Sequence, residues 1–274
     1  MERFGLLAGW GRLPLEVAKG IKDQGLDPVI VGLQEEVDPY LEEEGFSLVK
    51  MSLGALGRIM EYFQRCGVNT LVMAGKVGKG ALFSGPKLDE DFQNLLLQLR
   101  IKNDDAILQA VVDYFEGHGI RVETQTRFLG HLLPKPGLLT NRPINTREMQ
   151  DIRFGFSLAK EMGRLDIGQS VVVKDGVILA VEAIEGTDQA ILRGGELGGE
   201  GTVVVKVAKP HQDPRFDVPT VGLNTLNSLL QSKARVLAIE AGATFFLNKE
   251  EFVAEAEKNG LSVVAVDQDS GIDK

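Results

Sequence analysis

The sequence has 274 residues, of which 43% are hydrophobic and 25% charged, as in a soluble globular protein with one large or two medium domains. Its formal net charge of −9 argues against a general nucleic-acid-binding protein and against charge-driven adhesion to anionic membranes. A single cysteine, Cys66, excludes an intrachain disulfide and a cysteine-based zinc site. We find no signal peptide and no apolar run of transmembrane length, so we expect a cytoplasmic protein.

The N-terminal residues predict a βαβ unit around a glycine turn. Residues 3–8 and 28–32 favour strands, and residues 15–24 between them favour a helix. A turn at the start of a helix can offer backbone N–H groups and the positive helix end to a phosphate. It lacks the third glycine of the dinucleotide fingerprint and a Walker lysine, so a turn that only tightens the connection explains it equally well. The turn residues in question are Gly9, Trp10 and Gly11.

A second glycine-rich segment, residues 75–80, follows a strand predicted at 70–74. Its lysines, Lys76 and Lys79, either reach a phosphate or a uracil carbonyl or remain solvated. Asp104 lies in the first turn of a helix predicted at 104–117, where a carboxylate favours the helix dipole. Other helices of this half are predicted at 53–67 and 92–99, and a further strand at 121–124.

A proline- and glycine-rich segment, residues 131–137, predicts the boundary between two domains, 1–133 and 138–274. Strands and helices alternate on both sides of it. This alternation predicts an α/β protein with two layered α/β domains and a cleft between them. In the second domain, helices are predicted at 151–162, 224–232 and 252–259, and strands at 171–173, 177–181, 201–205, 236–240 and 261–267.

Acidic residues follow the apolar strand predicted at 177–181. Gly186 among them permits a tight turn, and Arg193 comes shortly after. Mg²⁺ prefers carboxylate oxygens and usually keeps waters while binding substrate phosphates, so one or two of these acids would suffice to hold it. The acids are Glu182, Glu185 and Asp188.

A charged loop, residues 206–219, follows the strand predicted at 201–205. Its prolines at positions 210, 214 and 219 exclude a regular helix or a central strand. A loop with this mixture of cations and carboxylates could hold phosphate oxygens and a divalent cation, or it could be a solvated surface loop whose charges pair with one another. Its polar residues are Lys206, Lys209, His211, Gln212, Asp213, Arg215 and Asp217.

These motifs together resemble the LpxI type of UDP-2,3-diacylglucosamine pyrophosphatase over nearly the whole chain. The resemblance rests on residues 165–170, 180–188, 193–195, 205–219 and 239–242. It implies Mg²⁺-dependent hydrolysis of the substrate, a lipid-linked sugar nucleotide, to 2,3-diacylglucosamine 1-phosphate and UMP in lipid A biosynthesis, with water attacking the phosphorus next to the sugar. The family opens with a three-glycine turn, and Trp10 stands in place of one glycine.

The resemblance and the residue chemistry together suggest roles. Breaking a pyrophosphate depends on positioning and on neutralising charge. We expect catalysis from Lys206, Lys209, Asp213, Arg215 and Asp217. We expect metal binding among Glu182, Glu185, Asp188, Asp213 and Asp217. We expect substrate binding by Gly9, Trp10, Gly11, Lys76, Asp104, Gln169, Thr187, Arg193 and Gln212.

Two other functions stay open at this stage. The first is a non-catalytic sugar-nucleotide or lipid-binding protein, which would not need a cluster of carboxylates. The second is a nicotinamide-dependent oxidoreductase, for which the acids at 35–36 would follow the second strand although the glycine fingerprint is incomplete. For the favoured enzyme, transient contact with the inner-membrane surface and a homodimer are further expectations.

Overall fold

The computed structural model describes residues 2–34, 37–77, 87–100 and 104–267, with the side chain of Asp104 excepted. The chain forms two compact units. The first comprises Met1–Gly130 together with Pro214–Phe216, and the second comprises His131–Asp213 and Asp217–Lys274. Both units contain sheets covered by helices, so the predicted α/β class is confirmed.

The first unit contains a parallel sheet with the strand order β3-β2-β1-β4-β5 among the described residues. Strands β1 and β2 are adjacent and parallel, which confirms the βαβ unit. The strands are β1 (Phe4–Ala8), β2 (Val29–Leu33), β3 (Leu48–Met51), β4 (Thr70–Ala74) and β5 (Arg121–Val122). The helices are α1 (Leu13–Asp23), α2 (Tyr40–Glu43), α3 (Leu56–Arg65), α4 (Glu90–Gln98), α5 (Asp104–Gly117) and α6 (Thr126–Leu129), and a 3₁₀ turn follows at Gly130–Leu132.

The second unit is built on a mixed sheet with the order β6-β13-β11-β9-β7-β8. Its three middle strands β13, β11 and β9 are parallel, whereas β6, β7 and β8 run antiparallel to their neighbours. These strands are β6 (Gly137–Leu138), β7 (Ser170–Lys174), β8 (Val177–Val181), β9 (Val203–Lys206), β11 (Val236–Glu240) and β13 (Ser262–Val266). A separate parallel pair joins β10 (Thr220–Val221) to β12 (Phe245–Phe246). The helices are α7 (Thr146–Arg164), α8 (Thr187–Gly198), α9 (Leu223–Gln231) and α10 (Lys249–Lys258).

Alternating side chains of the central strands form two cores, one on each face of this sheet. Leu237 and Ile239 of β11 contribute to the core on one face, and Ala238 to the core on the other. The second core lies beneath α7, and Gly155 lets that helix approach β9, because a Cβ at this position would lie 2.7 Å from Val205 Cγ2. Because both faces are buried, the strands read as continuous apolar runs.

Helix α7 begins earlier than the predicted residue 151. Asn145 and Glu148 form a capping box, in which each side chain accepts a hydrogen bond from the backbone N–H of the other. The prediction followed the apolar period and did not use this polar signal. No helix in the described part of the chain is long and apolar enough to cross a membrane.

Candidate functional site

The predicted catalytic segments meet at one edge of the second unit's sheet. Strands β9 and β11 end there, and because β7 is antiparallel to β9, the start of β7 lies at the same edge, with Ser170 opposite Lys206. The end of β8 returns to this edge, where the Glu182 N–H donates to the Ser170 carbonyl at 2.9 Å. The carboxyl edge of parallel strands is where α/β proteins commonly bind ligands.

A buried polar cluster, here called the Lys206 cluster, lies at this edge and contains Ser170, Glu182, Thr187, Lys206 and Thr220. Lys206 is only 6% exposed, and its Nζ donates to Thr187 Oγ1 at 3.2 Å and to the Thr220 carbonyl at 3.0 Å. The Thr187 hydroxyl donates to Glu182 Oε1 at 3.0 Å and lies 3.3 Å from Ser170 Oγ. One hydroxyl therefore links a buried cation to a buried carboxylate.

Burial of Lys206 is exceptional in this chain. It is the only lysine or arginine among the described residues that is buried. Removing an ammonium group from water costs several kcal/mol, by order of magnitude, and its attraction to a carboxylate often no more than offsets that cost. Stability alone does not account for this lysine, so it is the strongest indication of a functional site in the second unit.

The first half of the loop at 206–219 folds back on the segment before β7. Lys209 Nζ donates to Asp166 Oδ1 at 2.6 Å, and the Lys209 N–H donates to Gln212 Oε1 at 2.9 Å. Gln212 Nε2 lies 3.3 Å from Gln169 Oε1, and the Val207 N–H donates to the Gln169 carbonyl at 3.0 Å. The structure thus brings together three predicted site residues, Gln169, Lys209 and Gln212.

The second half of the loop is divided between the two units. Arg215 belongs to the first unit and contacts two residues of helix α5, Glu116 Oε1 at 3.4 Å and Gln109 Oε1 at 3.1 Å. Phe216 packs on the core of the first unit. Asp213 and Asp217 flank this segment, and the Asp217 N–H donates to the Asp213 carbonyl at 2.9 Å. The predicted phosphate-binding role of Arg215 therefore competes with a structural one.

The acids that follow β8 lie in different environments. Arg193 Nη2 donates to Glu185 Oε1 at 2.6 Å and to the Val181 carbonyl at 2.8 Å. The pKa of Glu185 is lowered below its ordinary value, chiefly by a hydrogen bond from the residue's own backbone amide and next by the hydrogen bond from Arg193. Asp188, in the first turn of α8, has a buried Oδ1 without a hydrogen-bond partner among the described residues.

These environments bear on the predicted magnesium ligands. The described residues contain no group of three or more His, Cys, Asp or Glu side chains placed to hold a metal ion, so the five predicted acids are not gathered into one such group. Magnesium needs only one or two protein carboxylates beside water and phosphate. The buried Asp188 Oδ1 fits a hard cation, which would supply the missing partner.

In the first unit, the predicted substrate-binding turn lies at the point where the strand order reverses. Strands β2 and β4 flank β1, and such a switch point is a common nucleotide-binding crevice. Trp10 exchanges two backbone hydrogen bonds with Lys76, at 2.8 and 2.9 Å, and the residue is 45% exposed. Gly9 is required here, because a Cβ would lie 2.5 Å from the Lys76 carbonyl oxygen. The backbones of both predicted turns therefore touch, and they present an exposed aromatic ring.

Sequence reasoning missed an acid beside this turn. Asp38, in the segment after β2, accepts a hydrogen bond from the Gly11 N–H at 2.5 Å, and Gly11 has a φ of +99°. Dinucleotide-binding folds place an acid after the second strand, and the acids expected from the sequence in that role were those at 35–36, not Asp38. Those two residues, Lys79 and the side chain of Asp104 lie outside the part of the chain that the structure describes.

Exposed aliphatic side chains flank the Lys206 cluster and form what we call the aliphatic rim. Its members, Leu165, Ile167 and Ile184, are 58%, 47% and 85% exposed. The two segments that carry them lie against each other, because a Cβ on Gly168 would be 2.2 Å from the Glu182 carbonyl oxygen. No local pattern in the sequence places an apolar surface next to these polar residues.

Comparison with known proteins identifies relatives for both halves of the chain. Residues 3–132 match the LpxI N-terminal domain and residues 135–264 match the LpxI C-terminal domain. The chain is 32% identical, over 97% of its length and 98% of the relative's, to UDP-2,3-diacylglucosamine pyrophosphatase LpxI of Caulobacter vibrioides. Among solved structures, a biotin carboxylase complex with β,γ-ATP from Campylobacter jejuni has a TM-score of 0.27 at 12% identity, covering 72% of this chain and 42% of that one. With both of its domains matched, this chain belongs to the LpxI family.

Proposed function

We propose that this protein hydrolyses the pyrophosphate of UDP-2,3-diacylglucosamine to 2,3-diacylglucosamine 1-phosphate and UMP, a step of lipid A biosynthesis. The observation that carries the proposal is the full-length similarity to the Caulobacter vibrioides protein of that name. The Lys206 cluster supports it independently, because a buried cation at the carboxyl edge of a sheet suits a substrate with several phosphate oxygens.

The proposed reaction adds one water across the P–O–P group. The water oxygen bonds to the phosphorus next to the sugar, the bond from that phosphorus to the bridging oxygen breaks, and the bridging oxygen leaves with UMP. A carboxylate takes the proton from the attacking water, and we assign this role to Asp213 or Asp217. Lys206 and Lys209 offset the charge that develops on the phosphate oxygens.

A magnesium ion would be held by Asp188 together with a carboxylate of the loop at 206–219. Support for Asp188 comes from its buried and unpartnered Oδ1 in the described part of the chain. When bound, the ion supplies Lewis-acid neutralisation of the pyrophosphate oxygens. Glu182 is assigned a structural role instead, because its carboxylate already accepts from Thr187.

The uridine half of the substrate is assigned to the first unit. Its glycine turn presents the indole of Trp10 for stacking on the uracil, and the Lys76 side chain is exposed beside it. The acyl chains are assigned to the aliphatic rim of the second unit, which fits transient contact of a cytoplasmic protein with a membrane surface. The oxidoreductase alternative is weakened, because Asp38, the acid described after β2, is occupied by the Gly11 N–H.

The test is incubation with UDP-2,3-diacylglucosamine in isotopically labelled water, followed by mass spectrometry. We expect both products, with the label in the sugar phosphate and not in UMP. We expect EDTA to abolish turnover and Mg²⁺ to restore it. Label in UMP would contradict the site of attack, and full turnover in chelator would contradict the metal role. Binding without turnover in Mg²⁺ would favour the non-catalytic binding protein.

A further inference from the structure

We infer that Glu240, with Lys160, is a positioning residue that fixes the backbone of the loop at 206–219 at Ala208. Glu240 is the last residue of β11, and its Oε2 accepts from the Ala208 N–H at 2.7 Å. Lys160, on helix α7, donates to both carboxylate oxygens of Glu240 at 3.0 Å. Lys160 Nζ also donates to the Ala208 carbonyl at 2.8 Å. One ion pair therefore holds both polar groups of a single residue.

The contact of Glu240 and Lys160 with Ala208 matters because of where Ala208 lies in the chain. Ala208 lies between Lys206 and Lys209, at the point where the chain leaves the sheet. Strand β9 pairs with β11 up to Lys206, which lies opposite Ile239. Beyond that point, the Glu240 side chain accepts the Ala208 N–H in place of a backbone carbonyl of the neighbouring strand. Hydrogen bonds to ionised groups are shorter and about twice as strong as neutral ones. The Glu240–Lys160 pair thus sets the direction in which the loop at 206–219 departs.

The pair acts through the backbone. The side chains of Lys160 and Glu240 are 24% and 16% exposed, and their described contacts are with each other and with Ala208. Loss of the pair leaves the Ala208 N–H to find water and lets the following residues shift. A misplacement of about 1 Å can cost on the order of a hundredfold in rate, so we expect a kinetic effect from residues remote from the reacting atoms. This inference rests on the proposed function, in which Lys206 and Lys209 serve catalysis.

A matched control lies at the other end of the same helix. Glu148 also accepts a backbone N–H, from Asn145 at 3.0 Å, and also pairs with a cation, Arg142. Its side chain is 11% exposed, against 16% for Glu240, but it lies twelve residues before Lys160, about 18 Å along the helix. Arg142 also donates to Ser262, the first residue of β13, so this pair belongs to the opposite edge of the sheet.

The experiment compares Glu240→Gln, Lys160→Met and Lys160→Arg with Glu148→Gln in the full-length protein. We expect Glu240→Gln and Lys160→Met to lower kcat about tenfold to a hundredfold with KM within about twofold of wild type. Lys160→Arg, which keeps the ion pair, should recover much of kcat. Glu148→Gln should melt at a lower temperature than wild type but keep full kcat. Equal kcat for Glu240→Gln and Glu148→Gln would overturn the inference.

Backbone hydrogen exchange measured by mass spectrometry provides a readout that does not depend on activity. Exchange of the peptide containing Ala208 should accelerate in Glu240→Gln and Lys160→Met and stay unchanged in Glu148→Gln. Unchanged exchange at Ala208 in the first two variants would also overturn the inference. If wild type is inactive toward the substrate, the proposed function fails, while this comparison still decides whether the pair fixes the loop. If Glu240→Gln does not fold, Lys160→Met decides both readouts.

Discussion

Replacement of Lys206 by methionine tests whether the buried cation serves catalysis. Methionine fills the space of the lysine stem but removes the charge and the hydrogen bonds to Thr187 and Thr220. At saturating substrate and at a temperature where the variant is folded, we expect turnover to fall by about a hundredfold or more, the scale of losing one electrostatic group from a site that excludes water.

The structure also sets the expected loss of stability for Lys206→Met. Removal of one charged partner leaves the Thr220 carbonyl and the buried Glu182–Thr187 pair less well compensated, and each described hydrogen bond to the ammonium contributes about 1.5–3 kcal/mol. Relief from burying the ammonium offsets part of this loss. We therefore expect the free energy of unfolding to fall by about 2–4 kcal/mol. For a protein of this size, about 2–4 °C of Tm is lost per kcal/mol, so Tm should fall by roughly 4–16 °C.

Lys174→Met is the matched control for Lys206→Met. Lys174 Nζ also donates to two carbonyl groups, those of Gly198 and Glu200, both at 2.7 Å, but it ends β7 at the opposite edge of the sheet. We expect a smaller loss of stability, about 1 kcal/mol, because these carbonyls can bind water instead, and unchanged turnover. Circular dichroism melting and a product assay on both variants suffice. Lys206→Met with turnover within a few-fold of wild type would refute the catalytic role.

Two further predictions concern the loop carboxylates and the nucleotide side. Of Asp213→Asn and Asp217→Asn, at least one should lower turnover about a hundredfold while unfolding free energy changes by about 0.5 kcal/mol or less, measured by product assay and thermal melting; near-normal turnover in both would remove these carboxylates from the mechanism. Trp10→Ala should weaken UMP binding about tenfold, because stacking on a base contributes about 1–3 kcal/mol and this ring is partly solvated. Calorimetry measures the loss, and Phe154→Ala, which truncates an aromatic ring of similar exposure (41%) in the second unit, is the control and should leave UMP affinity unchanged.

The sequence allowed prediction of elements whose signals are local. The strand at Thr70–Ala74 was predicted at its observed bounds, because an uninterrupted apolar run is typical of a strand buried on both faces. The contact of Gly9 with Lys76 depends on the pairing of β1 with β4, which no local pattern specifies. The turn was therefore predictable and its neighbour was not.

The partners of charged side chains were the least predictable feature. In the sequence, Arg215 stands in a charged loop and is therefore expected to bind phosphate, yet it contacts Glu116, which precedes it by 99 positions. Lys206 was predicted as a catalytic cation without any indication that it is buried, because its burial requires β7 and β8 to return to the same edge. Glu240 lies in a motif that supported the family resemblance, but its hydrogen bond to Ala208 emerges only from the pairing of β9 with β11.

Two neighbouring residues at the start of helix α8 each take part in an arrangement that is costly for stability. Thr187 ties the Lys206 ammonium to a buried carboxylate, and Asp188 keeps a buried oxygen without a partner in the described part of the chain. A buried charge and an orphaned acceptor each cost stability, and natural sequences tend to tolerate such costs at functional sites. Because Thr187 and Asp188 are consecutive residues at the start of α8, near the carboxyl edge of β9, both features agree with the proposal that this edge binds a pyrophosphate together with a cation.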